Sequence, residues 1–141
     1  MKKQMFFVAS LCSAIALTVI PANAQTGGVQ SRVPFKFSVS GKTLPAGQYT
    51  MIATSNQVRI QDAHGRMVAM VLANDVSGRS AGDNGQIIFH CYSDYCFLSE
   101  VWAPTELNGR QLLTSRTEAG LAKEERAKYF ALVGEKRQMP Q

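Results

Sequence analysis

Between Ile87 and Trp102 two apolar, aromatic runs flank the polar pair Ser93-Asp94. That pattern predicts a β-hairpin, and it constrains the chain more than any other stretch. With Ser93 and Asp94 as the loop residues, Tyr92 faces Tyr95 and Cys91 faces Cys96. The pair beside a two-residue loop is hydrogen-bonded and the next is not. The cysteine Cα atoms then lie about 4.5 Å apart, inside disulfide reach.

Whether the cysteines pair depends on compartment, and the N-terminus speaks to that. Lys2 and Lys3 precede an apolar run from Phe6 to Ile20, and Ala22-Asn23-Ala24 supplies an Ala-x-Ala cleavage site before Gln25. Residues 1–24 therefore read as a secretory signal peptide. The apolar run is short of the roughly 20 residues of a membrane span. Cys12 lies inside that run behind Leu11, where a lipoprotein signal would use a small residue. Export to the periplasm or the extracellular space is the expectation, with no integral membrane segment once the signal is cleaved. An oxidising compartment lets Cys91 and Cys96 pair. Closing so short a loop contributes only about 2 kcal/mol, so the bridge is a staple on the hairpin and not the framework of the fold. Free cysteines, or a redox or metal role, are the alternatives to that pairing.

Processing leaves about 117 residues, enough for one domain. The whole chain carries 15 basic and 10 acidic residues. Removing Lys2 and Lys3 lowers the net charge from +5 to about +3. A surface of such mixed sign does not call for nucleic acid, though a non-specific affinity for anionic envelope polymers stays open.

Residues 25–31 are polar with two glycines and read as a flexible leader. Val33, Phe35, Phe37 and Val39 then alternate with polar residues, which predicts a strand with one apolar face. Pro34 places its start, or an edge, there. Pro45 and Gly47 mark a turn before a strand over residues 48–53. Val58 and Ile60 suggest a third strand. Residues 67–73 are nearly all apolar, as in a central strand covered on both faces. Residues 74–85 hold three glycines and no periodicity, the composition of a mobile loop or of a lid or partner-binding loop. Asn108-Gly109 favours a turn with φ above zero. Residues 111–114 form a last short strand or lead into a helix. Ser115-Arg116-Thr117-Glu118 has the form of a capping box, and the helix it opens is expected to run to Gly134. Residues 32–134 are thus one β-rich domain with a C-terminal helix, and residues 135–141 a solvated tail.

Three segments carry a resemblance. Val33 to Val39 with Gly41 to Tyr49 forms the first, Phe89-His90 with Tyr95 and Phe97 to Trp102 the second, and Ser115, Arg116, Glu118 and Leu121 the third. Together they resemble a family of small exported proteins of acidobacterium-like soil bacteria, in which an acidic residue often stands where Lys36 is. The likeness spans nearly all of the processed chain. It implies export and a shared fold, and brings no activity, cofactor or catalytic residue with it. Cys91 and Cys96 look like this chain's own addition. Separately, Leu44 to Thr50 is similar to the opening of a strand in many extracellular β-sandwich modules.

Chemistry-bearing residues are present but unlinked. Cys91 and Cys96 lack the Cys-x-x-Cys redox spacing. His90 points away from Cys91 in a strand, and His64 lies in a turn without ligand-spaced partners. Hydrolysis needs a converging nucleophile, base and orienting group. Ser93, Asp94, His64, His90, Ser99 and Glu100 hold suitable atoms, but no local motif joins them. Glu100 and Glu118 are the candidates for paired carboxylates. Residues 82–85 offer too few regular oxygens for a calcium loop. No catalytic, cofactor-binding or metal residue is assigned.

The aromatic residues gather in the proposed strands. The hairpin has bulk on both faces, more than a one-sided core covers, which leaves Tyr92 and Tyr95 at its tip as anchors for a partner. Tyr92, Ser93, Asp94 and Tyr95 are the candidate contact residues. The fold expected is mainly β, a small antiparallel β-sandwich or partly open β-barrel with a C-terminal helix. The function expected is a non-enzymatic binding or structural module for an envelope protein or polymer, ligand and oligomeric state open. A lipocalin-like carrier is the alternative, and a hydrolase a more distant one.

Overall fold

The computed structural model describes residues 28–135, so the signal-peptide reading, residues 25–27 of the leader and residues 136–141 of the tail lie outside the described residues. The strands are β1 (Gly28–Val33), β2 (Phe37–Val39), β3 (Lys42–Leu44), β4 (Gly47–Ala53), β5 (Gln57–Gln61), β6 (Met67–Val76), β7 (Gln86–Tyr92), β8 (Tyr95–Trp102), β9 (Gly109–Leu112) and β10 (Lys128–Val133). A single helix, α1 (Arg116–Glu124), stands between β9 and β10. The strands form one mixed ten-stranded sheet that does not close into a barrel.

Its order is β1-β4-β5-β6-β9-β8-β2-β3, with β7 on β8 and β10 on β7. Two long strands explain this path. β6 gives Met67 to Leu72 to β5 and Ala73 to Val76 to β9, carrying the sheet from its first half into its second. β8 pairs with β7 along its length, while β9 bonds it at Glu100 and Val101 and β2 at Phe97. The β2–β8 contact is parallel, and the other pairings are antiparallel.

One apolar cluster unites the two halves. It draws Val29 and Val33 from β1, Met51 from β4, Ile60 from β5, Phe89 from β7 and Val101 from β8, all fully buried. Phe37 of β2 meets Tyr49 of β4 edge-on at 5.2 Å, although those strands are not sheet neighbours. Edge-to-face aromatic pairs of this kind add about 1 kcal/mol beyond the area they bury.

Several sequence expectations change here. Residues 28–31 are not a leader, because they are the first part of β1 and pair with Thr50 to Ile52 and Tyr49 of β4. Val29 and Ser31 are buried. The alternating run 33–39 is two strands, since Pro34 has no N–H to extend the ladder beyond Val33. Its apolar residues still face one core, with Phe35 packed against it. β6 is covered on one face only, and Met70 and Leu72 stand exposed on the other.

The largest change is at the C-terminus. The expected helix ends at Glu124, and Lys128 to Val133 form a strand on the open edge of β7. A helix through those residues would mix Glu125 and Lys128 with Leu121 and Leu132 on one face. As β10 the same residues place Leu132 against the core and Phe130 edge-on to Phe35 at 5.3 Å. Tertiary pairing overrides a weak helical pattern. Glu135 is anchored too. Its N–H donates to Gln30 O at 2.7 Å, and Gln48 Nε2 donates to its carboxylate at 3.1 Å.

Two glycines are needed for close approach. A Cβ on Gly109 would lie 2.5 Å from the Trp102 indole, so β9 reaches β8 only because that position is bare. This replaces the expected left-handed turn at Asn108-Gly109. A Cβ on Gly134 would meet the Asn84 carbonyl oxygen, which lets the chain after β10 run tightly past the 82–85 turn. That turn belongs to a segment that is packed in part. Ala81 is buried with Ile88 and Trp102 in a second small cluster, and Thr105 N–H donates to Gly82 O.

Candidate functional site

The β7–β8 hairpin is the place where chemistry gathers, and it does so on two sides. Cys91 and Cys96 are opposite one another with Cα atoms 4.0 Å apart, and they form a disulfide. Tyr92 pairs with Tyr95 across the Ser93-Asp94 turn, the register that the sequence dictates. Ser93 takes a positive φ of 47°, which a tight two-residue turn demands.

On the face away from the main core, β7 presents Ile88, His90 and Tyr92. β8 carries a bulge there. Phe89 pairs with Leu98 and Ile88 with Glu100, so Ser99 is the extra residue with no partner. A bulge re-aims the side chain it carries, and Ser99 Oγ comes within 3.1 Å of His90 Nε2. His90 Nδ1 lies 3.2 Å from Glu118 Oε1, and Tyr92 OH donates to that same oxygen at 3.3 Å. An ionised carboxylate only accepts, so the shared proton sits on Nδ1. In the neutral ring Nε2 then accepts from the Ser99 hydroxyl. Tyr129 of β10 stacks edge-on to the imidazole at 4.7 Å.

Helix α1 supplies the carboxylate. Ser115 caps the helix by accepting from the Glu118 N–H at 3.2 Å, as the capping box predicts. The other half of that box is not made. Glu118 turns its carboxylate down to His90 and Tyr92, where it is 7 % exposed. At the other end of α1, the C-cap residue Glu125 accepts from Ser93 Oγ with both oxygens, at 2.9 and 2.8 Å. Two carboxylates thus fasten α1 to the back of the hairpin, where its mostly exposed surface offers little apolar contact. Burial, then the nearby Glu118 charge and hydrogen bond, push the Tyr92 hydroxyl above its ordinary pKa.

The serine–histidine–carboxylate order is that of a nucleophile, a base and an orienting group. Ser99, however, is buried, with 6 % of its surface exposed. What the arrangement does is satisfy buried polar groups mutually and seat the helix. The other candidates disperse. Glu100 accepts from Trp102 Nε1 at 2.8 Å and lies 3.9 Å from Arg79, so Glu100 and Glu118 are not a pair. His64 lies in an exposed turn, its N–H donating to Asp62. Among the described residues no group of three or more His, Cys, Asp or Glu is placed to hold a metal.

The front of the tip is different. A cleft of about 70 Å³ runs between the tip and β2–β3, lined by Lys36, Phe37, Ser38, Thr43, Asp94, Tyr95 and Cys96. Buried Phe37 and the disulfide-bonded Cys96 are part of that lining. Tyr95 is 56 % exposed. Ser38 and Thr43 face each other across β2–β3 with hydroxyls 3.4 Å apart, a long contact that leaves both free for other bonds. Among the described residues neither Lys36 nor Asp94 has an ion-pair partner.

The four tip residues expected to meet a partner therefore separate. Asp94 and Tyr95 line the cleft. Ser93 is committed to Glu125. Tyr92 is 4 % exposed, not open at the tip, because α1 covers the back face and its hydroxyl is held by Glu118. Lys36, Ser38 and Thr43 join the site from a distance in sequence. Lys36 and Ser38 are the polar partners in the alternating run 33–39, and that alternation was the signal that put them outside. No family model, curated protein or solved structure matches the chain. Among the described residues no helix is long and apolar enough to cross a membrane.

Proposed function

We propose that this chain is an exported, non-enzymatic binding module of the periplasm or extracellular space, with its contact site at the front of the hairpin tip. What supports a β-sandwich reading is that one apolar cluster draws residues from both halves of the sheet. The export reading is supported by the N-terminal pattern that reads as a signal peptide and by the resemblance to small exported soil-bacterial proteins. The observation that carries the reading is the cleft itself. An exposed tyrosine, two uncommitted opposite charges and two available hydroxyls meet beside a disulfide-bonded cysteine. A disulfide at the site lowers the ordering cost of binding.

The carrier reading is weaker. The sheet is open, which argues against a closed lipocalin-type barrel. The hydrolase reading has the order of groups at Ser99, His90 and Glu118, and what weighs against it is the burial of Ser99.

The test is capture of an envelope partner from a native extract by the processed chain, comparing wild type with Tyr95→Ser. Tyr95 is exposed, so the variant keeps its melting temperature and loses capture. Equal capture by both proteins refutes the site. Exchanging Tyr92 in the same assay is uninformative, because its loss disturbs the fold.

A further inference from the structure

We infer that the ligand of the tip cleft is a saccharide, one ring of an envelope glycan stacking on Tyr95. This rests on the reading of the tip as the contact site and names the chemistry it would recognise. A pyranose presents an apolar C–H face edged by hydroxyls that each donate and accept. The cleft presents the complement. Tyr95 is 56 % exposed as a residue, and its ring is a flat π-surface. Around it stand a donor-only ammonium on Lys36, an acceptor-only carboxylate on Asp94, and hydroxyls on Ser38 and Thr43 that do both.

The remaining geometry fits a ring better than a peptide. The cleft, about 70 Å³, holds part of one ring and leaves the rest of a chain in solvent. A peptide adding to the nearby edge of the sheet would pair along β3, yet that strand is only three residues long. Its Lys42 is turned aside, donating to Val68 O at 2.7 Å. A purely anionic ligand would meet Asp94, and a purely cationic one Lys36. A neutral polyhydroxylated ring uses both.

The experiment is an amide NMR titration of the processed, disulfide-bonded chain with three probes: the N-acetylglucosamine tetramer, cellotetraose and maltotetraose. At least one probe is expected to bind weakly, with shifts centred on Lys36, Ser38, Thr43, Asp94 and Tyr95. Tyr95→Ala lowers the affinity about tenfold or more, Tyr95→Phe keeps it within about threefold, and Lys36→Ala or Asp94→Asn lowers it severalfold. Absence of binding by all three probes, or binding indifferent to Tyr95→Ala, overturns the inference. Envelope capture by wild type and Tyr95→Ser, run beside it, separates the two levels. Capture that needs Tyr95 while no probe binds or competes refutes the saccharide and leaves the tip as the site. Capture indifferent to Tyr95 refutes both.

Discussion

Glu118→Ala is the most demanding perturbation of the hairpin's back face. The carboxylate is 7 % exposed and accepts from both His90 Nδ1 and Tyr92 OH. Its removal strands two donors. A buried donor left without a partner costs about 1–3 kcal/mol. His90 keeps some access to water, its side chain being 18 % exposed, so its share falls at the low end. Together the loss is about 2–4 kcal/mol. For a domain of this size each kilocalorie lowers the melting temperature by about 4 °C or somewhat more, so a drop of about 8–16 °C is expected. Urea unfolding at neutral pH measures the energy directly. Glu118→Gln, which keeps an acceptor in place, should lose less. A double-mutant cycle with Tyr92→Phe sharpens the test, because the hydroxyl matters only while Glu118 is there to accept it. A coupling of about 1 kcal/mol is expected. Glu118→Ala within 0.5 kcal/mol of wild type (about the scatter of a surface substitution), or strictly additive single effects, would refute the claim that this carboxylate seats the helix.

Three further perturbations address separate parts of the structure. Gly109→Ala drives a methyl into the Trp102 indole, so about 1–3 kcal/mol of destabilisation is expected in urea, and a neutral result contradicts the close approach of β9 to β8. Replacing both Cys91 and Cys96 with serine should cost about 2 kcal/mol and leave a cooperative transition; complete unfolding would make the bridge a framework element instead of a staple. Tyr92 has a raised pKa, first from burial and then from Glu118. Its neutral form is the one the fold favours, so that contribution is full below the unfolded tyrosine pKa and fades as pH rises through the higher folded value. Stability followed by circular dichroism should fall in strong alkali, less steeply in Tyr92→Phe.

What the sequence disclosed and what it hid divide along the range of the interactions. The hairpin, its register and its disulfide depend on neighbours five residues apart, and they were legible from spacing alone. The mainly β character followed from period-two runs such as Val33 to Val39. The fate of Lys128 to Val133 was not legible, because a short amphipathic stretch is decided by the vacant edge of β7, some forty residues away. Tyr92 looked exposed at a tip because nothing local announces that α1 lands on it. The same holds for the back-face relay. Ser99 reaches His90 through a bulge, and Glu118 abandons half of its capping box to join them. Of the front cleft, Asp94 and Tyr95 lie in the hairpin turn that the sequence pattern marks, whereas Lys36, Ser38 and Thr43 arrive only through the parallel docking of β2 on β8.

The central claim is that partners meet this protein at the front of the hairpin tip. Site-specific photocrosslinking tests it most directly, with a benzophenone side chain placed at Tyr95 and, in a second protein, at Met70, which is equally exposed on the outer face of β6. In native envelope extract the account predicts a discrete adduct from position 95 that excess unlabelled wild-type chain competes away, and none from position 70. Adducts at position 70 alone, or equal labelling at both, would contradict it.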